Sequence, residues 1–435
     1  FSLSSIEMLQ IPATVTDLED GWCHETSDLR EIIIDQNNPR YQIYNNKMII
    51  GKKSIESTNF DVLIFCFRDV ESDIVPYFIT VIHFPAVKNS QLEIIKEDAF
   101  KGSGIESFTV PLHVTKICDG AFCFCNYLQT FEILPNSELQ TIEKEAFFEA
   151  SIESLRIPQS LIDLQNGWCN DMKSLKSIEV DPNNWKYSIY NDKLIIGKST
   201  KEQENFDILV FCVRDVKTVE IPDFIKIIGP FAFDCSDIEY LSIPKGVTKI
   251  STSSFSSCEN LQKIEIPEDS KLETIEGEAF SWASIESLTF PSNLIDLKEK
   301  WCYSSNITNI NVDPKNQFFS KYDDGKLIIG KSSKLNEEYD HLVFCMRNIK
   351  SVKIPSFIRV IKSFSFYECE NLKKVEIQAN SELQIIEKYA LPCVSIDKFT
   401  ISPHLIIIGE YAFSSCNKLR KIEIQKDPQL QIISK

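Results

Sequence analysis

The apolar residues of this chain recur in a short pattern that predicts strands. In residues 253–267, SSFSSCENLQKIEIP, the apolar positions Leu261, Ile264 and Ile266 stand at offsets that many other segments repeat. The two isoleucines of such an I-x-I group share one side of a strand, because successive side chains of a strand point to opposite faces. A proline follows many of these groups, as Pro267 does here, and indicates the end of the strand because proline cannot donate to a β ladder.

A second apolar group follows each strand and completes a repeating unit. Phenylalanines recur at Phe233, Phe255 and Phe280, with spacings of 22 and 25 residues. One such unit cannot cover its own apolar face, so neighbouring units must stack to form a shared core. Alignment of the units on the residue between the two isoleucines gives about 16 repeats. We therefore predict a single solenoid over residues 1–435, although the length alone would suit two or three domains of about 150 residues.

Three enlarged repeats interrupt the short period. They lie near residues 11–82, 157–228 and 290–361. Each contains a Trp-Cys pair, a turn-rich stretch such as VDPNN, and two apolar runs joined by a polar link. Apolar runs of this length with a polar link predict a hairpin or strand pair. The sequence therefore predicts three β-hairpin insertions, at about residues 41–68, 187–214 and 321–347.

The composition excludes several functional classes. The chain is 43% hydrophobic, enough to bury a core, and it has a formal charge of -17 from 63 acidic and 46 basic side chains. Such a surface would repel nucleic acid, since binding to phosphates needs a basic patch. No apolar run approaches the roughly 20 residues that cross a bilayer. We therefore expect no nucleic-acid partner, and membrane association only through segments outside this sequence.

The repeating pattern resembles the BspA-like leucine-rich repeat family. The closest segments are SSFSSCENLQKIEIP at 253–267 and EYAFSSCNKLRKIEI at 410–424, and the enlarged repeats resemble that family's long repeat with a β insertion. The resemblance covers nearly the whole chain. It implies an α/β fold, a leucine-rich-repeat solenoid shaped as a right-handed horseshoe, with a parallel β-sheet on the concave face.

The same resemblance implies a function in binding. The family is found mainly on the surfaces of bacteria and anaerobic parasitic protists, where it is associated with adhesion. We therefore expect a non-enzymatic, protein-binding module at the cell surface, adhesin-like or antigenic, that engages host or microbial macromolecules. The alternative is an intracellular leucine-rich-repeat interaction scaffold in the cytoplasm.

The cysteines repeat at equivalent positions of the units. Six of them stand three residues before the recurring leucine or isoleucine: Cys125, Cys235, Cys258, Cys369, Cys393 and Cys416. Three follow the tryptophan of an enlarged repeat, and three share one position in its second apolar run: Cys23, Cys169, Cys302, Cys66, Cys212 and Cys345. Stacked positions suit small buried thiols, whereas a zinc site would need C-x-x-C pairs. We expect free core thiols rather than disulfides, and neither a metal nor a cofactor.

Catalytic motifs are represented only by a misleading match. The segment from Gly325 to Ser332 fits G-x-x-x-x-G-K-[ST], but its Leu-Ile-Ile centre is strand-like, and the sibling copies have Asn46 and Asp192 at the position of Gly325. A phosphate-binding loop would instead have to open a helix. The five histidines do not recur at equivalent positions of the units. We therefore predict that the chain is not an enzyme.

The outward residues of the I-x-I groups form the candidate binding surface. Six of them are glutamates, at Glu132, Glu179, Glu220, Glu265, Glu376 and Glu423. A solvated strand face is one interpretation, because lysines stand two residues before three of these glutamates. An extended binding surface for a partner with basic patches is the other, since curved solenoids bind through such faces. The aromatic residues of the insertions form a competing contact surface, or they pack the insertions onto the solenoid.

Overall fold

The fold is built from stacked strands in two compact units. The structure, a computed structural model, describes residues 5–18, 29–44, 48–52, 55–56, 60, 62–66, 93–103, 105–333, 335–378, 380–424 and 428–434. The N-terminal unit comprises Phe1–Phe206 with Val210–Asp215, and the C-terminal unit comprises Asp207–Leu209 with Val216–Lys435. Each unit is a parallel β-solenoid. That residues 1–435 form a single solenoid stays a prediction.

Most of the I-x-I groups form the longer strands, as predicted, but the group at residues 219–221 forms no strand. In the N-terminal unit these strands are Met8–Ile11, Glu31–Ile34, Ser107–Val110, Thr130–Ile133, Ser154–Ile157 and Ser177–Val180. In the C-terminal unit they are Tyr240–Ser242, Lys263–Glu265, Ser287–Phe290, Asn309–Val312, Ser351–Ile354, Lys374–Ile377, Lys398–Ile401 and Lys421–Ile424. Neighbouring strands pair in parallel, so that Leu241 lies beside Ile264 and both are buried. The solvent side of these strands is named here the long-strand face.

A second sheet of two-residue strands closes each repeat. Its members in the N-terminal unit are Ile94–Ile95, Lys116–Ile117, Thr141–Ile142 and Asp163–Leu164. In the C-terminal unit they are Ile227–Ile228, Lys249–Ile250, Thr274–Ile275, Asp296–Leu297, Val360–Ile361, Ile385–Ile386, Ile407–Ile408 and Ile432–Ile433. These strands also pair in parallel, with Ile250 beside Ile275.

The prediction of an α/β fold is wrong, because the described residues contain no helix. The segment that would be helical alternates its hydrogen bonds: Asp234 N donates to Phe231 O of its own turn at 3.2 Å, and Phe233 N donates to Ser254 O of the next repeat at 2.8 Å. Phe231 and Cys235 have φ values of 57° and 55°. Single left-handed residues four apart end any α-helix before it has a full turn.

Each enlarged repeat adds antiparallel strands. The third has Phe319–Tyr322 paired with Leu327–Gly330, which pairs with His341–Cys345. His341–Cys345 then pairs in parallel with Val360–Ile361, so the insertion extends the sheet of two-residue strands. The strands of the other two are Tyr41–Tyr44, Met48–Gly51, Val62–Cys66, Tyr187–Tyr190, Leu194–Gly197 and Ile208–Cys212. That the insertions project as separate contact surfaces stays a prediction. Much of the first enlarged repeat, with Trp22 and Cys23, lies outside the described residues.

One buried asparagine anchors each insertion. Asn316 Nδ2 donates to Pro291 O at 2.6 Å and to Leu294 O at 3.0 Å, and its Oδ1 accepts from the backbone N of Phe318 and Phe319 at 2.8 and 2.7 Å. The side chain therefore satisfies all four of its hydrogen bonds with backbone groups. The same four bonds recur at Asn38 and Asn184. The VDPNN-type stretch of the sequence thus fixes where the chain leaves the solenoid.

Stacked phenylalanines occupy the core between the two sheets. Phe255 is fully buried, and its ring centroid lies 5.1 Å from Phe233 and 5.3 Å from Phe280. The ring planes are nearly parallel, at 9° and 3°. These three phenylalanines therefore form a column that runs across three successive repeats.

Candidate functional site

The structure places the six predicted glutamates on solvent-accessible positions of the repeats. Five of them lie within long strands, and Glu220 lies in an exposed segment outside a strand. In the N-terminal unit, Thr109 pairs with Glu132 and Arg156 pairs with Glu179 across adjacent strands. In the C-terminal unit, the register pairs Ser242 with Glu265, Lys353 with Glu376, and Thr400 with Glu423.

Hydrogen bonds tie the two glutamates of the N-terminal unit to neighbouring strands. Thr109 Oγ1 donates to Glu132 Oε2 at 3.1 Å. Arg156 Nη1 donates to Glu179 Oε1 at 2.6 Å, and Arg156 Nη2 lies 3.5 Å from Asp181 Oδ2. The long-strand face here therefore carries a hydroxyl–acid contact and a guanidinium–acid cluster, each of which joins neighbouring strands.

Each glutamate in a long strand of the C-terminal unit has a lysine partner. Lys263 Nζ lies 2.6 Å from Glu265 Oε1, and the hydroxyl of Tyr240 also donates to this carboxylate. These hydrogen bonds, that of Lys263 first, lower the pKa of Glu265. The hydrogen bond from Lys374 lowers the pKa of Glu376 in the same way.

The last of these glutamates is held from two strands. Lys398, on the preceding strand, forms a close ion pair with Glu423, and Lys421 Nζ lies 2.7 Å from Glu423 Oε1. Hydrogen bonds from Lys398 and then Lys421 lower the pKa of Glu423, which keeps it ionised. Lys398 and Arg156 each pair with a glutamate on the adjacent strand. The sequence of a single repeat did not indicate these pairs, because the two partners belong to different repeats.

The long-strand face is therefore a patterned polar surface rather than a bare acidic stripe. Glu220 is exposed, and no ion pair involves it among the described residues. Exposed ion pairs contribute little to stability because water and salt screen them. Their fixed positions from strand to strand are instead suited to matching the charges of a partner.

The cysteines among the described residues are free. Cys258 Sγ donates to Phe233 O at 3.0 Å, and Cys125 Sγ donates to Phe100 O at 3.0 Å, each bond joining one repeat to the preceding one. Burial raises the pKa of Cys125 to about 12 and that of Cys302 to about 11. These two thiols stay protonated at neutral pH. Because only the thiolate is nucleophilic, they are unreactive. The buried thiols therefore serve packing, as the repeat positions predict. The prediction is wrong for Cys393, whose side chain is exposed to solvent. The structure describes neither Cys23 nor the side chain of Cys66.

The segment that matches a phosphate-binding motif has the local structure of a strand. Leu327–Gly330 pairs with the strands on both of its sides, and Gly325, with a φ of 84°, belongs to the turn before it. Its backbone N–H groups are therefore engaged in a ladder and do not form a loop that opens a helix.

Comparison with known families agrees with this repeat geometry. The sequence pattern described as the BspA type leucine rich repeat region matches residues 93–194, 206–322 and 338–435, in six copies. The chain belongs to the BspA-type leucine-rich repeat family. The resemblance drawn from the I-x-I pattern is thus confirmed. A search of curated proteins finds no match to this BspA-type chain.

Several solved structures are similar to this BspA-type chain. The pneumococcal vaccine antigen PcpA is 18% identical, with a TM-score of 0.49 over 97% of this chain and 79% of that one. A leucine-rich repeat protein from Eubacterium ventriosum is 19% identical, with a TM-score of 0.46 over 75% and 81% of the two chains. A leucine rich cell surface protein from Faecalibacterium prausnitzii is 17% identical, with a TM-score of 0.35 over 96% and 79%. Within the described residues, no helix has the length and apolar character to cross a membrane.

Proposed function

We infer that this BspA-type chain is a non-enzymatic module that binds proteins or other macromolecules at the cell surface, as an adhesin-like or antigenic protein. The observation that carries the proposal is the long-strand face, where acids, cations and hydroxyls are held in register across several strands. A repeating surface of this kind can contact an extended partner along several repeats at once. Membership of the BspA-type family supports the surface location.

The partner is best matched by a macromolecule with alternating charges. Glu265, Glu376 and Glu423 each lie against a lysine. Such a surface attracts basic groups of a partner to its acids and acidic groups to its cations. It therefore selects partners whose charges match its own arrangement, and it speeds their association. The binding should weaken as salt rises, since these groups are exposed to solvent.

Charge reversal on this face tests the proposal. We expect the triple variant E265K/E376K/E423K to bind cultured host epithelial cells at least about tenfold more weakly than the unaltered chain, because each reversal places a cation where the partner meets an acid. Flow cytometry with the fluorescently labelled full chain measures the binding.

A second triple variant with the same change in net charge is the control. Glu259, Glu370 and Glu410 are exposed glutamates outside the long strands, and E259K/E370K/E410K should retain binding. Equal losses in both variants would indicate only general electrostatic attraction. Unchanged binding in E265K/E376K/E423K would move the site to the insertions or to another face.

An intracellular interaction scaffold is the second candidate function, and the free cysteines favour it because reducing compartments keep thiols free. Labelling of intact cells with a membrane-impermeant amine reagent separates the two candidates. We expect the chain to be labelled before the cells are lysed. Labelling only after lysis would support the scaffold and contradict the surface role.

A further inference from the structure

A cavity with basic and aromatic walls lies in the third enlarged repeat. Its volume is about 220 Å³, and it lies between the insertion strands and the turns of the neighbouring repeats, entirely within the C-terminal unit. Ligand sites for drug-sized molecules usually measure about 300–1,000 Å³. This cavity is therefore large enough for a compact molecule of about the size of a single six-membered ring with one substituent.

The walls carry an excess of positive charge in an acidic protein. Five cationic side chains line the cavity: Lys298, Lys300, Lys331, Lys362 and Arg347. The carboxylates in the same lining are Asp296 and Glu299. The chain as a whole has a formal charge of -17, so this excess runs against its overall composition.

Ion pairs within the described residues account for some of these charges. Lys298 Nζ lies 2.9 Å from Asp296 Oδ2, and Lys362 Nζ lies 2.7 Å from Glu387 Oε1. Glu299 is likewise paired, at 2.9 Å, with a lysine outside the lining. Both lining carboxylates are thus engaged, and they leave cations in the wall without a close counter-charge.

The remaining cations are Lys300, Lys331 and Arg347. Lys300 Nζ is 3.7 Å from Glu278 Oε1, a long contact, and Lys331 Nζ lies over the ring of Tyr339 at 5.3 Å. Arg347 is only 9% exposed. Among the described residues no ion pair involves Lys331 or Arg347.

The contacts of Arg347 do not compensate for the free-energy cost of removing its charged side chain from water. Its guanidinium lies 4.8 Å from the centre of the Phe344 ring, and Nη2 donates to Cys302 O at 3.5 Å. Its Nε and Nη1 are buried and have no hydrogen-bond partner among the described residues. A buried cation without a counter-charge is costly, so an anion in the adjoining cavity would be stabilised by it.

Aromatic side chains supply the rest of the wall. Trp301, Tyr303, Phe318, Phe364 and Tyr367 all line the cavity. The ring centroids of Tyr303 and Tyr367 are 4.4 Å apart. Lys300 Nζ lies 5.3 Å from the centre of the Phe364 ring, so the charge and the rings meet at one place. Aromatic faces of this kind pack against flat, weakly polar groups.

The second enlarged repeat shows which of these residues the fold itself requires. Its sequence keeps the same framework at Trp168, Cys169, Phe211 and Arg214, at the positions of Trp301, Cys302, Phe344 and Arg347. It lacks the added groups: the positions of Lys298, Lys300, Tyr303, Lys362 and Tyr367 are Gln165, Gly167, Asn170, Gly229 and Asp234. The framework therefore belongs to the repeat, whereas the additional cations and tyrosines are particular to the third copy.

We propose that this cavity binds a compact organic anion, in which one carboxylate faces the cations around Arg347 and the apolar face of an adjoining six-membered ring packs on the tyrosines. An acidic sugar and a small aromatic acid share this chemistry. The site goes beyond the proposed function, because it is a small-molecule site in an enlarged repeat and does not depend on what the long-strand face binds.

Isothermal titration calorimetry of the full chain with glucuronate and with benzoate tests the proposal. We expect at least one of the two acids to bind, and the neutral counterparts glucose and benzamide to bind at least about tenfold more weakly. Binding of glucuronate alone identifies an acidic sugar, and binding of benzoate alone identifies an aromatic acid. No binding of either acid at millimolar concentration overturns the proposal, as does binding of inorganic phosphate alone.

The variant K300G/K331A locates the site. Lys300 has a φ of 59°, a conformation that glycine adopts without strain, so K300G removes a cation while favouring the fold. We expect this variant to bind the acid at least about tenfold more weakly. The control K373A/K418A removes two exposed lysines outside the lining and should bind as the unaltered chain does. Equal affinity in K300G/K331A and the unaltered chain overturns the assignment.

Discussion

Replacement of Phe255 by alanine is expected to lower the free energy of unfolding by about 3–5 kcal/mol, the usual cost of removing a buried aromatic ring. Phe255 is fully buried between Phe233 and Phe280 in the core column. Backbone hydrogen bonds of 2.8 Å, from Phe233 N to Ser254 O and from Phe255 N to Ala279 O, restrict movement of the backbone into the gap. The cost of the remaining cavity should therefore add to the loss of buried apolar surface.

Urea unfolding followed by far-ultraviolet circular dichroism measures this effect. Trp282 is an aromatic residue of the same unit with 58% of its surface exposed, and W282A is the matched control. We expect W282A to change the free energy of unfolding by less than about 1 kcal/mol. A loss of similar size in both variants would show that the column is not the source of stability.

The second large effect is expected from Asn316→Asp. The change leaves the carbonyl oxygens of Pro291 and Leu294 facing a carboxylate oxygen instead of the two amide N–H donors. Each buried acceptor without a donor costs about 1–3 kcal/mol, and the new charge is buried as well. We expect the free energy of unfolding to fall by at least about 3 kcal/mol at pH 7.

The pH dependence of this variant gives an independent check. Burial favours the protonated carboxyl, which can donate one hydrogen bond, so protons bind more tightly to the folded variant than to the unfolded one. The destabilisation should therefore shrink as pH falls from 7 to 4.5. Asn371 is an exposed asparagine, and N371D, the control, should change stability little at either pH. A small and pH-independent loss for N316D would contradict the role of the four bonds.

The strands and the core could be predicted from the sequence because the same apolar pattern recurs in each repeat. The I-x-I groups and the recurring phenylalanines return at nearly constant spacing, so errors in one unit are corrected by the others. The positions of most cysteines could be predicted in the same way. Cys258, for example, is buried and donates a hydrogen bond to Phe233 O of the preceding repeat. Such information is local and periodic, which is what a sequence displays directly.

The α/β fold that the family resemblance implied is wrong, and the sequence gives no warning because the residues with left-handed backbone conformations are of ordinary types. Positive φ values occur at Phe231, Cys235 and Ser253, where no glycine in the sequence indicates them. Hydrogen bonds to the next repeat compensate for this strain, and a single unit of sequence contains no sign of those bonds.

The candidate site was predictable only in part for a related reason. Lys263, two residues before Glu265, is visible within its repeat, whereas the pairing of Lys398 with Glu423 joins two adjacent repeats. The cavity of the third enlarged repeat depends on even more distant positions, since Lys300 and Tyr367, 67 residues apart, line the same cavity.

The alternating hydrogen bonds of the turns also set a rule for how such a chain can change length. Phe255 N bonds to a carbonyl of the following repeat, and the same position one repeat earlier bonds to the repeat of Phe255. Removing a complete repeat leaves a donor opposite an equivalent acceptor, whereas removing residues from within a turn leaves both without partners. Gene duplication and deletion of whole repeats therefore preserve these bonds, and smaller changes in length, such as the difference between spacings of 22 and 25 residues, are confined to segments outside the bonded turns.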